Sequence, residues 1–264
     1  MDIIKSISNS NIKLAVKLLN STKYRKKEKK FIVEGLRLCK DAVMSLKKVN
    51  TLFFTQRAYD KYHGSIDEII NVSNSTYIVS EEVFNKISDT ESPQGIACIC
   101  DMTERNDCIY RELNNDVFFL GLEDIQNPSN MGTILRTAEA LGINQVIMSR
   151  GCCDIYGPKV LRGSMGAIFR LNIMTVDFIK EVIEDMKSLN ITACVSVPIK
   201  EAIPVTNINF KEGKFFMVVG NEGNGLKEET IIAADKIVTI PMLGRAESLN
   251  VATATSILIW EMLR

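Results

Sequence analysis

Histidine is almost absent: His63 is the single one in 264 residues. A catalytic dyad or a zinc site with imidazole ligands would have to rest on that one ring, so most histidine-based chemistry is excluded and His63 is expected at the surface. No apolar run reaches the roughly 18 residues that a membrane span needs. The first twenty residues carry lysines at 5, 13 and 17 and lack the apolar core of a signal peptide. These absences point to a cytoplasmic protein with no membrane partner. The seven cysteines form no Cys-x-x-Cys pair; Cys98 and Cys100 lie in an apolar run and Cys152 and Cys153 are adjacent. They are expected to be reduced and mostly buried, with no metal site. A composition of 46% hydrophobic and 24% charged residues is that of an ordinary globular chain, which excludes disorder, collagen and coiled coil.

The formal net charge of +0 conceals an asymmetry. Residues 1–48 hold thirteen Lys and Arg against four Asp and Glu, and the remainder is acidic by the same margin. The densest cluster is Lys23, Arg25, Lys26, Lys27, Lys29 and Lys30 around Tyr24. Cations beside an aromatic ring suit a phosphate backbone with one stacked base; the alternative is a solvated loop.

Patterning divides the chain into an α/β unit over 1–105, a polar linker at 106–115 and a second unit over 116–264. The first unit reads as a helix over 9–20, a strand over 31–33, a helix over 35–46, a strand over 51–55, a helix near 56–62, a strand over 76–79, a helix over 81–87 and a strand over 95–100. In the second unit, strands at 117–120, 145–148, 172–176, 192–196, 214–219 and 236–240 alternate with helices at 131–141, 159–164, 177–189, 227–233 and 249–263. Strands such as Phe215-Phe216-Met217-Val218-Val219 are apolar on both faces, which indicates a mainly parallel sheet. Ligands bind such sheets beyond the carboxyl ends of the strands, so the loops after residues 120, 219 and 240 are the places for chemistry.

The first of these loops runs from Gly121 to Arg136, with Ser129 or Asn130 able to cap the following helix. Arg136 could be a solvent-facing helix residue, or could join Asn130 on one side of a pocket as a donor to phosphate or ribose oxygens. The second loop, Gly220-Asn221-Glu222-Gly223-Asn224-Gly225, has neither Rossmann nor P-loop spacing, and Glu222 would repel phosphates. An acid there fits a cationic or hydroxyl-bearing ligand. The third loop runs from Ile240 to Asn250 and opens the last helix, with Ser248 or Asn250 able to cap it.

Taken together, these loops resemble the three signature motifs of the SpoU branch of the SPOUT RNA methyltransferases. The first motif resembles Asn127-Pro128-Ser129-Asn130 through Arg136; the second, Val219-Gly220-Asn221-Glu222-Gly223; the third, Ile240-Pro241-Met242 with Glu247-Ser248-Leu249-Asn250. The block 163–170 resembles another family segment. Phe31-Ile32-Val33-Glu34-Gly35-Leu36-Arg37 and Ser92-Pro93-Gln94-Gly95 resemble the family's N-terminal RNA-binding extension. The third motif departs from the family pattern only in continuing Val251-Ala252-Thr253-Ala254.

The resemblance implies a C-terminal parallel-sheet domain with a deep trefoil knot, a smaller N-terminal α/β domain like ribosomal protein L30e, and a homodimer with shared active sites. It implies transfer of a methyl group from S-adenosylmethionine to a ribose 2′-hydroxyl, most naturally in ribosomal RNA, without a metal. Carried over by position, the catalytic set is Asn130, Arg136, Glu222, Ser248 and Asn250. The cofactor set is Gly220, Asn221, Ile240, Leu243 and Leu249, and Arg37 joins the N-terminal cations as an RNA contact. The family proposal makes the arginine at position 136 the base; a guanidinium with a pKa above about 12 is better suited to holding phosphate and orienting the hydroxyl. Alternatives are the same chemistry on transfer RNA and a non-catalytic RNA-binding or ribosome-associated protein. A nucleotide-dependent oxidoreductase is disfavoured by the lack of an early phosphate-binding turn.

Overall fold

The computed structural model describes residues 3–46, 49–102 and 118–264; the proposed linker at 106–115 lies outside them. By their contacts the described residues up to 102 form one unit together with Asp154–Phe169, and those from 118 to 153 form a second with Arg170–Arg264.

The first unit contains β1 (Ile3–Ile4), α1 (Ser10–Asn20), α2 (Thr22–Glu28), β2 (Lys30–Glu34), α3 (Leu36–Leu46), β3 (Val49–Phe54), α4 (Gln56–Ile70), β4 (Ser73–Val79), α5 (Glu81–Phe84) and β5 (Ile96–Asp101). Its strands order as β1-β4-β3-β5-β2, with β5 antiparallel to both neighbours and the other pairs parallel. Asn9 caps α1 by accepting from the Asn11 amide, and Ile12, Ala15, Leu18 and Leu19 recur at helical spacing on its buried face. They pack against Ile32, Phe53, Phe84, Ala97 and Ile99; burial of each large apolar side chain contributes about 1.5–3 kcal/mol.

Asp154–Phe169 belongs, by chain position, to the expected second domain, yet it packs in the first unit. Tyr156 and Phe169 lie 4.6 and 6.0 Å from the ring of Phe31. The basic cluster also departs from a loop: Thr22–Glu28 is helical, with Ser21 as its cap and Lys29 ending it at φ 51°. The helix near 56–62 continues to Ile70 through a kink at Tyr62, and His63 is exposed.

The second unit is built on β6 (Phe118–Leu122), α6 (Pro128–Ala140) and β7 (Gln145–Ser149). With α7 (Pro158–Ser164) belonging to the first unit, it continues through β8 (Asn172–Val176), α8 (Ile179–Ser188), β9 (Ile191–Ser196), β10 (Ile203–Pro204), β11 (Lys214–Val219), α9 (Glu228–Ala233), β12 (Lys236–Thr239) and α10 (Val251–Leu263). All strand pairs in its sheet are parallel, in the order β10-β12-β9-β11-β6-β7-β8. From β6 the chain moves one way to β7 and β8, then returns to build the other side, so β6 and β11 flank the switch point where ligands of such sheets bind. Phe119, Ile147, Ile183, Ala193 and Phe216 are among the residues that fill the core between this sheet and α8.

Candidate active site

Beyond the carboxyl ends of β9, β11 and β12 lies a cleft of about 880 Å³. Its walls include Ser196, Val219, Gly220, Ile240, Ser248 and Leu249. No lysine or arginine lines it among the described residues. That suits a ligand without phosphates, and the carboxylate of Glu222 at the rim suits one carrying positive charge.

Two helix caps and one carboxylate set its geometry. Asn127, not Ser129 or Asn130, caps α6: its Oδ1 accepts from the Ser129 amide at 2.8 Å, and Pro128 occupies the first helical position, where no amide is needed. Asn130 is thereby free of capping duty and buried, at 9% exposure. Asn250 caps α10, with Oδ1 accepting from the Ala252 and Thr253 amides at 2.9 and 3.4 Å. Its Nδ2 donates to Asn130 Oδ1 at 3.0 Å, and Asn130 Nδ2 donates to Glu222 Oε1 at 3.0 Å. The amides of Gln126 and Asn127 donate to Glu222 Oε2 and Oε1 at 3.2 and 3.0 Å. Burial pushes the Glu222 carboxyl up; the Asn130 side chain and the backbone amides of Glu222, Asn127 and Gln126 outweigh it and hold the group below its ordinary value.

The glycine-rich loop is shaped from within. Asn221 Oδ1 accepts from the amides of Gly223 and Asn224, both at 2.9 Å, and its backbone exchanges bonds with Gly225. Its Nδ2 donates to the Asp124 carbonyl at 2.7 Å. A Cβ at Gly220 would stand 2.4 Å from the Gly225 carbonyl carbon, so no larger residue fits there without moving the loop. Gly225 itself takes φ 67°, which glycine adopts without strain.

Matches to known proteins extend over nearly the whole chain, the cleft included. Residues 117–260 match the model of the SpoU rRNA Methylase family, and residues 9–98 match the MRM3-like substrate binding domain. A tRNA/rRNA methyltransferase of Synechocystis, uncharacterised in function, is 30% identical over 99% of this chain and 94% of its own. This chain belongs to the SpoU rRNA methylase family. The 23S rRNA (guanosine(2553)-2′-O)-methyltransferase RlmP of Bacillus subtilis is 29% identical over 99% of both chains. An AdoMet-bound rRNA methyltransferase from Sinorhizobium meliloti superposes with a TM-score of 0.87 at 24% identity, covering 99% of this chain and 97% of that one, a likeness of fold.

Of the residues that the SpoU resemblance implies, Asn130, Glu222, Ser248 and Asn250 meet at the cleft, as do Gly220, Asn221, Ile240 and Leu249. Asn221 brings mainly its backbone, because its side-chain groups are committed within the loops. Ser248 is exposed at the rim. Two residues are not brought there. Leu243 is 99% exposed and does not line the cleft, because the loop after β12 turns its side chain to solvent. Arg136 is exposed on α6, six residues beyond Asn130 and so about 9 Å along the axis and on another face. Among the described residues it makes no ion pair.

The N-terminal cations separate into two kinds. Arg25 is 4% exposed: Nε and Nη2 meet Asp154 Oδ2 at 2.8 and 2.7 Å, Nη1 donates to the carbonyls of Leu18 and Leu19 at 2.5 and 3.0 Å, and Nη2 donates to Thr22 Oγ1 at 3.0 Å. It closes the last turn of α1 and cannot contact RNA, which corrects the expectation for this position. Tyr24 is likewise half-buried against the core, with Lys17 Nζ 5.3 Å from its ring centroid, so the expected base-stacking partner is already covered. Lys30 is half-buried in β2 and lies 3.9 Å from Asp101. Lys23, Lys26, Lys27, Lys29 and Arg37 are exposed.

Sequence reasoning missed Glu123, Asp124 and Gln126, which support the glycine-rich loop from the end of β6. The signal was present, as acids directly after an apolar parallel strand stand at the ligand end of the sheet. Among the described residues no group of three His, Cys, Asp or Glu could hold a metal ion, and no helix is long and apolar enough to cross a membrane.

Proposed function

We propose that this protein methylates a ribose 2′-hydroxyl of ribosomal RNA with S-adenosylmethionine. The observation that carries this function is the chain of bonds Asn250–Asn130–Glu222 at a cleft with apolar walls, hydroxyls and, among the described residues, no cations. Such a cleft fits a sulfonium-bearing nucleoside better than a nucleotide phosphate. When bound, S-adenosylmethionine supplies an electrophilic methyl carbon. The chain's own residues must then align the hydroxyl and exclude competing orientations.

Glu222 is too weak a base to take the hydroxyl proton efficiently, because its donors favour the ionised form. It serves as the acceptor that fixes Asn130 and the loop amides. Ser248 offers its exposed hydroxyl to the substrate at the rim. Arg136 holds a substrate phosphate and orients the ribose hydroxyl, acting in the cleft of the partner subunit of a homodimer. Its exposure away from its own cleft supports that arrangement, as does α10, apolar nearly all round, with Trp260 59% and Leu263 40% exposed. A trefoil knot formed by the loops after β11 and β12 around α10, and an L30e-like fold for the first unit, belong to the same proposal. So does RNA binding by the first unit through Lys23, Lys26, Lys27, Lys29 and Arg37, which its match to a substrate-binding domain supports. A bacterial 23S rRNA relative favours ribosomal RNA and the cytoplasm.

The test is chemical. Purified protein incubated with labelled S-adenosylmethionine and undermethylated ribosomal RNA should leave label in an alkali-resistant dinucleotide, the mark of a 2′-O-methyl group. Label released with mononucleotides would put the methyl on a base and overturn the proposal.

A further inference from the structure

We infer that Glu123 is a positioning residue for this site: it holds both ends of the glycine-rich loop in the shape that admits S-adenosylmethionine. The inference rests on the cofactor assignment above and adds a residue that does not line the cleft. Glu123 is the first residue after β6 and is 1% exposed. Its own amide donates to the carbonyl of Val219, the residue before the loop, at 2.9 Å. Its carboxylate Oε2 accepts from the amide of Lys227, the residue after Leu226, at 2.9 Å. Oε1 accepts from the hydroxyl of Thr230, itself 1% exposed, at 2.7 Å. One buried residue therefore brackets residues 220–226.

The residues that follow reach the loop's interior. Asp124 takes the Asn221 amide on its carbonyl, and its Oδ2 lies 3.3 Å from Lys227 Nζ. The amides of Gln126 and Asn127 meet Glu222. The loop after β6 is thus a template for the loop after β11. Removing the Glu123 carboxylate would strand the buried Thr230 hydroxyl and the part-buried Lys227 amide, and a buried donor costs more unpaired than its bond contributes when made.

The geometry requires two hydrogen bonds and no charge. A glutamine at 123 can accept from Lys227 N through its oxygen and donate its amide to Thr230 Oγ1, since a hydroxyl rotates to accept. A role that depended on charge would not survive that exchange.

The experiment measures S-adenosylmethionine binding by calorimetry on the full chain, alongside hydrogen exchange of residues 220–227. E123A should bind roughly tenfold more weakly or worse, with faster exchange confined to the loop, and E123Q should stay within about twofold of wild type. Thr230→Val, which removes one donor, should weaken binding roughly threefold. If E123A does not fold, E123Q and Thr230→Val carry the test. E123A or Thr230→Val binding as tightly as wild type, or E123Q binding as poorly as E123A, would overturn the bracket. A wild-type chain that bound no cofactor would instead sink the cofactor assignment, and this inference with it.

Discussion

The side chain of Asn250 donates to that of Asn130 across 3.0 Å, and the direction of this bond is fixed. Asn250 Oδ1 is committed to the α10 amides, so only its Nδ2 can face Asn130. Asn130 must then offer its oxygen to Asn250 and its amide to Glu222. A helix cap on the last helix thereby sets the polarity of a bond on the glycine-rich loop.

Asn130→Ala should abolish most methyl transfer and cost about 1–3 kcal/mol of stability, because a buried amide partner is removed from both neighbours. Asn130→Asp should do more harm, since it sets a carboxylate against Glu222. Methyl-transfer assays together with denaturant unfolding separate the two effects; an Asn130→Asp variant as active as wild type would contradict the assigned bond direction.

Glu222 has a pKa held below the ordinary carboxylate value. A group depressed on folding contributes stability above its unfolded pKa of about 4.3, and that contribution is lost as pH falls through the lower folded value. Wild type should therefore exceed Glu222→Gln in stability at pH 7, with the gap closing only below about pH 4. A gap that closed between pH 5 and 7 would mean a raised pKa.

Arg25→Ala should cost about 3–5 kcal/mol by leaving Asp154 unpaired in a buried setting. Arg25→Lys should recover little, because a lysine cannot reach Asp154, two carbonyls and Thr22 from one planar fork. Thermal unfolding of the three proteins decides this; a lysine variant as stable as wild type would reduce Arg25 to a simple charge.

Lys23, Lys26, Lys27 and Arg37 are exposed and should tolerate joint replacement by alanine within about 0.5 kcal/mol per site. The same variant should bind RNA more weakly and with a shallower dependence on salt, since fewer counterions are released. An unchanged salt slope would return this surface to a solvated face.

Much of this was legible in the sequence. The strands at Asn172–Val176 and Lys214–Val219 were read with their observed bounds, because apolar runs between turn residues permit little else. The sequence left the cap of the last helix open between Ser248 and Asn250, and Asn250 takes it, with the helix beginning at Val251. What escaped depends on distance along the chain. Nothing local to Arg25 reveals its partner 129 residues away, and a lysine-rich helix with few apolar positions reads as loop. Asn127 took the cap because Pro128 needs no amide, and the bonds from Gln126 and Asn127 to Glu222 are made by backbone, which no side-chain pattern records. The kink at Tyr62 broke the periodicity that would have carried α4 to Ile70.

The most direct measurement compares wild type with Arg136→Ala for transfer of labelled methyl from S-adenosylmethionine to undermethylated ribosomal RNA and, separately, to transfer RNA. The account predicts label in ribosomal RNA with wild type, its loss in the variant and nearly unchanged cofactor binding in both. Label confined to transfer RNA, or an arginine variant that loses cofactor binding along with turnover, would contradict it.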